Sequence, residues 1–407
     1  MNFNKKIMCS LVAVLLLSAC ESEDKYKAKE CINCMPSENA GENAGENEGE
    51  KKADDPIIND NNNINISISK DDQNITWEKK DTDEEVLGMV LSSQNTLVYS
   101  KWNNRLTIIN PNTKTISSDD LYLDVTGGRY SSGETVLVDA TTGASEQTLA
   151  KVLVNDDGTT VFSLLEKYDD DSKDIGIGIY SDDISNGVPD ARFATRVTTS
   201  ANYFSYPTAR DIALSHDGQT IVAGGDDRKI NIFDANNLNS PREINAGRKV
   251  RSLNFSVDDN HVFSGSSGLK KHIKIFNVAS GVEEASIETS GIPKEVVEIP
   301  NSNKIIAIFL GSNKVRVYDI TDITTPTLNK TLIINGSAKS ISISPDKKTF
   351  AITATGKQVN LFTINGSNTP KVISLDENAN GATFLSENKL MIATGTSIVY
   401  YTISLGN

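Results

Sequence analysis

From residue 86 to the C-terminus one pattern recurs: an apolar run, a polar turn rich in Ser, Asp, Asn and Gly, a second apolar run, a short loop, then an alternating segment ending in an aromatic residue. Self-similarity at a fixed period means stacked copies of one supersecondary unit, so this pattern limits the fold more than any other feature. The clearest copy is Ile212-Ala213-Leu214, Ser215-His216-Asp217-Gly218, Ile221-Val222-Ala223 and Ile230-Asn231-Ile232-Phe233-Asp234. Segments 273–277, 315–319, 359–363 and 398–402 repeat its last piece. Period-two alternation with β-branched residues is strand chemistry, and no stretch of the body holds a 3.6-residue period. The residues that open successive turns, Ser215, Ser256, Pro300, Ser344 and Leu385, stand 41, 44, 44 and 41 residues apart. That is the length of one four-stranded propeller blade.

Two earlier copies begin near Val86 and Leu149, with turns at Ser92 and Asn155, which brings the count to seven. Their turns are 63 and 60 residues from the next, so both copies carry insertions. The same 123 residues equal three periods of 41, and an eighth blade around Thr135-Val136-Leu137-Val138 is the alternative. The last copy stops after its third strand. A ring can take the missing outer strand from the start of the body, where Asn74-Ile75-Thr76-Trp77-Glu78 is expected to supply it and so cover an exposed sheet edge. The expectation is an all-β propeller over residues 73–407, of seven four-stranded blades or eight.

The turns Ser215-His216-Asp217-Gly218-Gln219-Thr220 and Ser344-Pro345-Asp346-Lys347-Lys348-Thr349, with the strand ends Phe233-Asp234 and Tyr318-Asp319, resemble bacterial WD40-like and YVTN (lactonase-type) β-propeller repeats. The resemblance covers about residues 73–407 and implies a body that grips partners with its loop faces. In the lactonase-type members it implies chemistry on a small substrate in the central channel. The chain departs from strict WD40 repeats in lacking the Gly-His pair and in ending its strands on Phe, Tyr or Ile instead of Trp.

Residues 1–19 read as a secretion signal, with Lys5 and Lys6 ahead of an apolar run at 11–17 that is too short to stay as a spanning helix. Leu17-Ser18-Ala19-Cys20 resembles the lipobox of bacterial lipoproteins, which implies acyl chains on Cys20 and a lipid-anchored protein of the bacterial cell envelope. Glu21, in place of the Asp that marks inner-membrane retention, favours the outer membrane over the inner. Residues 20–72 are expected to form a disordered acidic tether: 21–60 holds almost no apolar surface, 12 acids and 5 bases. Removing the two signal lysines takes the chain from −14 to −16, of which the tether accounts for −7 and residues 61–407 for −9. Cys31 and Cys34 form a C-x-x-C within the tether. With no helix start to lower a thiol pKa and no second ligand pair, a local disulfide or no role is favoured over redox or metal work.

An acidic body gives nucleic acid no electrostatic attraction. His216 and His261 are placed in equivalent polar turns and His272 at a strand start, so no pair is set to hold a metal or serve a nucleophile, and no G-x-S-x-G is present. Asp169-Asp170-Asp171 with Asp174 lacks calcium-loop spacing and reads as a solvated charge run. No catalytic residue, metal set or cofactor motif emerges, and no acid/base cluster is read at the strand starts. One constellation remains. Arg210, Arg251 and Lys339 stand five residues before their turn anchors and Lys294 six before its own, so four consecutive blades put a cation at the mouth of the channel. Loops on that face add Arg228, Lys229, Arg248, Lys249, Lys270, Lys271 and Lys314. Wet, charged strand starts with no ligand are the simpler account; cations focused on one face of an acidic body are the sharper one. The functional expectation is a monomeric binding or assembly scaffold that takes an envelope protein or an anionic ligand at this mouth. The alternative is a lactonase-like enzyme.

Overall fold

The computed structural model describes residues 66–71, 75–76, 86–92, 96–100, 105–110, 113, 115–122, 147–168, 174–183, 190–196, 209–395 and 397–406, all within the compact unit Pro56–Asn407. Among them there are strands and turns and no helix. They form seven antiparallel sheets. Six are four-stranded and made of consecutive strands, within 86–122, 147–196, 209–245, 249–289, 293–333 and 338–374; these are the first to sixth sheets in the text below. The seventh contains Gly381–Ser386, Lys389–Ala393 and Ser397–Leu405, and its outer edge is filled from the other end of the body.

The strand that opens each sheet lies beside the opening strand of the next sheet. This inner series runs Val86–Leu91, Gln147–Val154, Ala209–Leu214, Lys249–Phe255, Pro293–Ile299, Ala338–Ile343 and Gly381–Ser386, and the last of these lies beside the first. Four-stranded sheets arrayed this way are consistent with the blades of a β-propeller. The core is correspondingly a set of layers between neighbouring sheets. Phe162 and Leu164 pack with Ile212 and Phe233 between the second and third sheets, and Ile306 and Val317 with Phe350 and Ile352 between the fifth and sixth. A strand sandwiched on both faces has no wet side. Every residue of Thr349–Ala354 is buried, and so is all of Thr220–Gly225 after its first residue. Each Ile, Val or Phe so buried contributes about 1.5–3 kcal/mol relative to exposure.

The polar turns between first and second strands are built by short side chains. Ser215 Oγ donates to Asp217 Oδ1 (2.6 Å) and accepts from Thr220 N (2.9 Å), while Gly218 takes a φ of 71°. Ser256 with Asp258 and Ser344 with Asp346 repeat the arrangement. Such hydroxyl and carboxylate bonds to nearby N–H groups are why Ser and Asp recur at these positions.

Ring closure differs from the sequence expectation in its segment. The strand along the outer edge of Ser397–Leu405 is Ile66–Lys70, in register from Ile66 opposite Leu405 to Lys70 opposite Tyr401, and Ile75–Thr76 only extends it toward Ser397. The folded body therefore begins upstream of residue 73. Packing decides the choice: Ile66 and Ile68 reach the apolar layer holding Val399, Tyr401 and Ile403. The signal at 1–19, Cys20, Cys31 and Cys34, most of the tether, the Thr135–Val138 segment and Asp169–Asp171 lie outside the described residues.

Candidate functional site: the ring of inner-strand starts

In six of the seven sheets the inner strand slips its register near its start, leaving one residue unpaired with the second strand. Those residues are Leu87, Ala150, Arg210, Arg251, Lys294 and Lys339. A bulge bends the strand and re-aims a side chain, and is common next to functional sites. The four cations singled out from spacing thus share one structural position, the bulge of four consecutive inner strands.

Their surroundings differ. Arg210 Nη2 lies 3.0 Å from Asp226 Oδ2 and Arg251 Nη1 lies 3.4 Å from Asp226 Oδ1, so two guanidiniums share one carboxylate at the turn between the second and third strands. Arg251 Nε also donates to Ser267 Oγ at 2.7 Å. Burial pushes the Asp226 carboxyl up, but the hydrogen bond and charge of Arg210, with Arg251 and Lys249 adding to them, outweigh it and hold the group below the usual carboxylate range. Lys339 Nζ donates to Ala379 O (2.9 Å), reaching the connection into the seventh sheet. Lys294 keeps solvent contact at its bulge although protein surrounds much of its ammonium; that desolvation lowers its pKa, with Lys339 adding and Glu295 opposing.

Residues one to three places after the bulges of the second to sixth sheets supply what the sequence reading missed. Asp211 Oδ1 accepts from Lys151 Nζ at 2.6 Å, and its Oδ2 accepts from Leu253 N of the next sheet at 2.7 Å. Glu295 Oε2 accepts from Ile341 N of the sheet after its own (3.0 Å). Ser252 Oγ donates to Pro293 O (3.2 Å), and Ser342 Oγ accepts from Phe384 N (3.2 Å). From the second sheet to the seventh, every step round the ring carries one bond of this kind. The expectation of no acid/base cluster at the strand starts is therefore corrected: Asp211, Glu295 and Lys151 meet there. Arg210-Asp211 and Lys294-Glu295 are the visible signal, acid directly after bulge cation, but alternation alone does not tell which of two neighbours faces the ring.

Glu295 is the group with the most displaced titration. Burial drives its carboxyl up to about 7, with Asp211 adding to the rise and Lys151, the Ile341 N–H and Lys294 opposing it. An acid whose pKa rises on folding favours the fold below its ordinary value of 4.5 and loses that contribution as pH climbs through about 7. Glu295→Gln keeps an acceptor for Ile341 N and cannot ionise. Its stability relative to the wild type should therefore improve by about 3 kcal/mol between pH 4.5 and pH 8. Urea melts of both proteins at the two pH values measure this, and a constant difference would refute it.

The wider basic face is partly neutralised. Lys229 pairs with Glu243 (2.7 Å) and Lys270 with Glu288 (3.4 Å), while Arg248 donates to Lys270 O. Among the described residues of the ring, the cations Lys151, Arg210, Arg251, Lys294 and Lys339 outnumber the carboxylates Asp211, Asp226 and Glu295. The histidines stay apart. His216 Nδ1 meets Asp259 at 2.8 Å in the neighbouring turn, and His272 Nδ1 meets Ser286 Oγ at 2.9 Å. His261 opens a second strand instead of sitting in the turn, with Nε2 3.0 Å from Glu284.

The family model described as WD domain, G-beta repeat, matches residues 204–234, the third sheet's first three strands. No curated protein matches the chain.

Proposed function

We propose that the protein is a lipid-anchored β-propeller of seven blades in the bacterial cell envelope, anchored through Cys20 and favouring the outer membrane. It serves as a scaffold that holds an acidic protein partner over the starts of its inner strands. The observation that carries this reading is the run of four bulge cations on consecutive sheets, Arg210, Arg251, Lys294 and Lys339. The WD-repeat match supports it, since such repeats commonly build protein-interaction scaffolds. Excess positive charge on one face of a chain with net charge −14 steers an acidic partner to that face, and guanidiniums can take a carboxylate through paired hydrogen bonds.

Arg210 and Arg251 also hold Asp226, so reversing them would disturb the turn as well as the face. Lys294→Glu with Lys339→Gln avoids that. It should lower crosslinked capture of the partner from envelope fractions by roughly tenfold, with only a small fall in melting temperature from the lost Lys339–Ala379 bond and the added charge beside Glu295. Capture equal to the wild type would place the partner site elsewhere. A second reading, a lactonase-like enzyme, is favoured by Glu295, because a carboxyl poised near neutrality suits general acid or base work. Lactone turnover by the wild type, lost in Glu295→Gln, would decide for it.

A further inference from the structure

Beside the ring of inner-strand starts, on the same face, a cleft of about 630 Å³ opens over the fifth sheet, between its links to the fourth and sixth. Its wall is rich in hydrogen-bond donors. Lys314 and Arg316 line it together with the hydroxyls of Ser290, Ser312, Ser337 and Thr355, and no carboxylate is among the lining residues. Lys314 is exposed, and among the described residues neither it nor Arg316 forms an ion pair.

Three of the hydroxyls already use their oxygens as acceptors. Ser290 Oγ takes Arg316 Nη2 (3.0 Å), Ser312 Oγ takes Lys314 N (3.1 Å) and Thr355 Oγ1 takes Ser337 N (2.8 Å). Each hydroxyl keeps its own hydrogen to give, and an accepted bond polarises the group into a better donor. Arg316 is held in place from below, its guanidinium 5.3 Å from the centre of the Phe309 ring. Gly311, at the lip, has a φ of 68° and open space where a Cβ would stand, so the approach is unobstructed.

We propose that this cleft is a second binding site, on the partner face but distinct from the bulge cations, for a small ligand bearing a phosphoryl or sulfuryl group. Fixed donors converging with two cations match a tetrahedral oxyanion, whose several acceptor oxygens spread in three dimensions. The volume is that of a ligand pocket and far exceeds a lone ion, so the oxyanion is one end of a larger hydrophilic molecule such as a sugar phosphate or sugar sulfate.

Calorimetric titration of the full chain with glucose 6-phosphate, glucose 6-sulfate, inorganic phosphate and glucose tests the assignment. One or both esters should bind, whichever the cleft prefers, inorganic phosphate more weakly and glucose not at all. Lys314→Glu, an exposed and unpaired position, should weaken ester binding by roughly tenfold or more, while Lys294→Glu among the bulge cations leaves it unchanged. Affinity for glucose equal to that for the esters, ester binding indifferent to Lys314→Glu, or no heat from either ester would overturn the site. An unchanged response to Lys294→Glu keeps this result independent of the partner-face reading.

Discussion

Deleting residues 66–71 should lower the melting temperature by about 6 °C, the result of losing roughly 4 kcal/mol from a body of this size. The estimate is built from three contributions. Ile66 and Ile68 are partly buried against the layer of Val399, Tyr401 and Ile403, and about 1 kcal/mol each is a moderate value for that degree of burial. The five paired residues of Ile66–Lys70 satisfy the outer edge of the last strand, and their bonds, offset in most part by the ordering of the backbone that makes them, leave about 1 kcal/mol net. Asp71 then fastens the end: its N–H donates to Tyr400 O at 2.9 Å, and its carboxylate takes Lys389 Nζ at 2.8 Å and Thr402 Oγ1 at 2.9 Å. Removing the strand also leaves the Tyr401–Leu405 part of the last strand open to pairing with other chains, so aggregation on heating should accompany the loss. Ile68→Ser provides the milder comparison, with a fall of about 1–2 °C. Deletion without change in the differential-scanning transition would mean that the seventh sheet is complete without this strand.

That strand also shows how far the sequence could be read. Sheet patterning was legible because most third strands alternate and three first turns repeat Ser-x-Asp with a following positive-φ residue, Gly218, Asp259 or Lys347. These are local signals. The choice between Ile66-Ser67-Ile68-Ser69 and Asn74-Ile75-Thr76-Trp77 as closing strand is not local. Both alternate, and the decision lies in which isoleucines find the layer formed by residues more than 300 positions away. The bulges were hidden for a related reason. An extra residue in a strand leaves no mark in composition, and it shifts every later side chain to the other face. Spacing found Arg210, Arg251, Lys294 and Lys339 as a set, yet it could not show that Asp211 and Glu295, their immediate neighbours, turn into the ring and bond the next sheet. Asp226 stands at a turn, where Asp is at home on local grounds; that it also holds two arginines from two different sheets depends on the assembled ring.

The inner strands of neighbouring sheets belong to different hydrogen-bond ladders, so the bonds between them come from side chains, and Asp211 makes the most heavily used of these. It is buried, it bridges Lys151 of the second sheet and Leu253 N of the fourth, and it also accepts from its own neighbour Ile212 N at 3.0 Å. Asp211→Ala would strand the Leu253 N–H in a buried position and leave Lys151 without its partner. An orphaned buried donor costs about 1–3 kcal/mol and a broken, largely buried ion pair about as much again, so a loss of about 3 kcal/mol is expected. Lys151→Met should cost less, about 1 kcal/mol, because the lysine is the more exposed partner and Asp211 keeps both backbone donors. Asp211→Asn should fall between the two, retaining one acceptor oxygen for Leu253 N. Urea titrations at pH 7 order the three variants, and the ordering carries the argument. If Lys151→Met were as damaging as Asp211→Ala, charge pairing and not the backbone bond would hold the second, third and fourth sheets together at the ring. If all three were neutral, the apolar layers between sheets would suffice, and the polar ring would exist for binding alone.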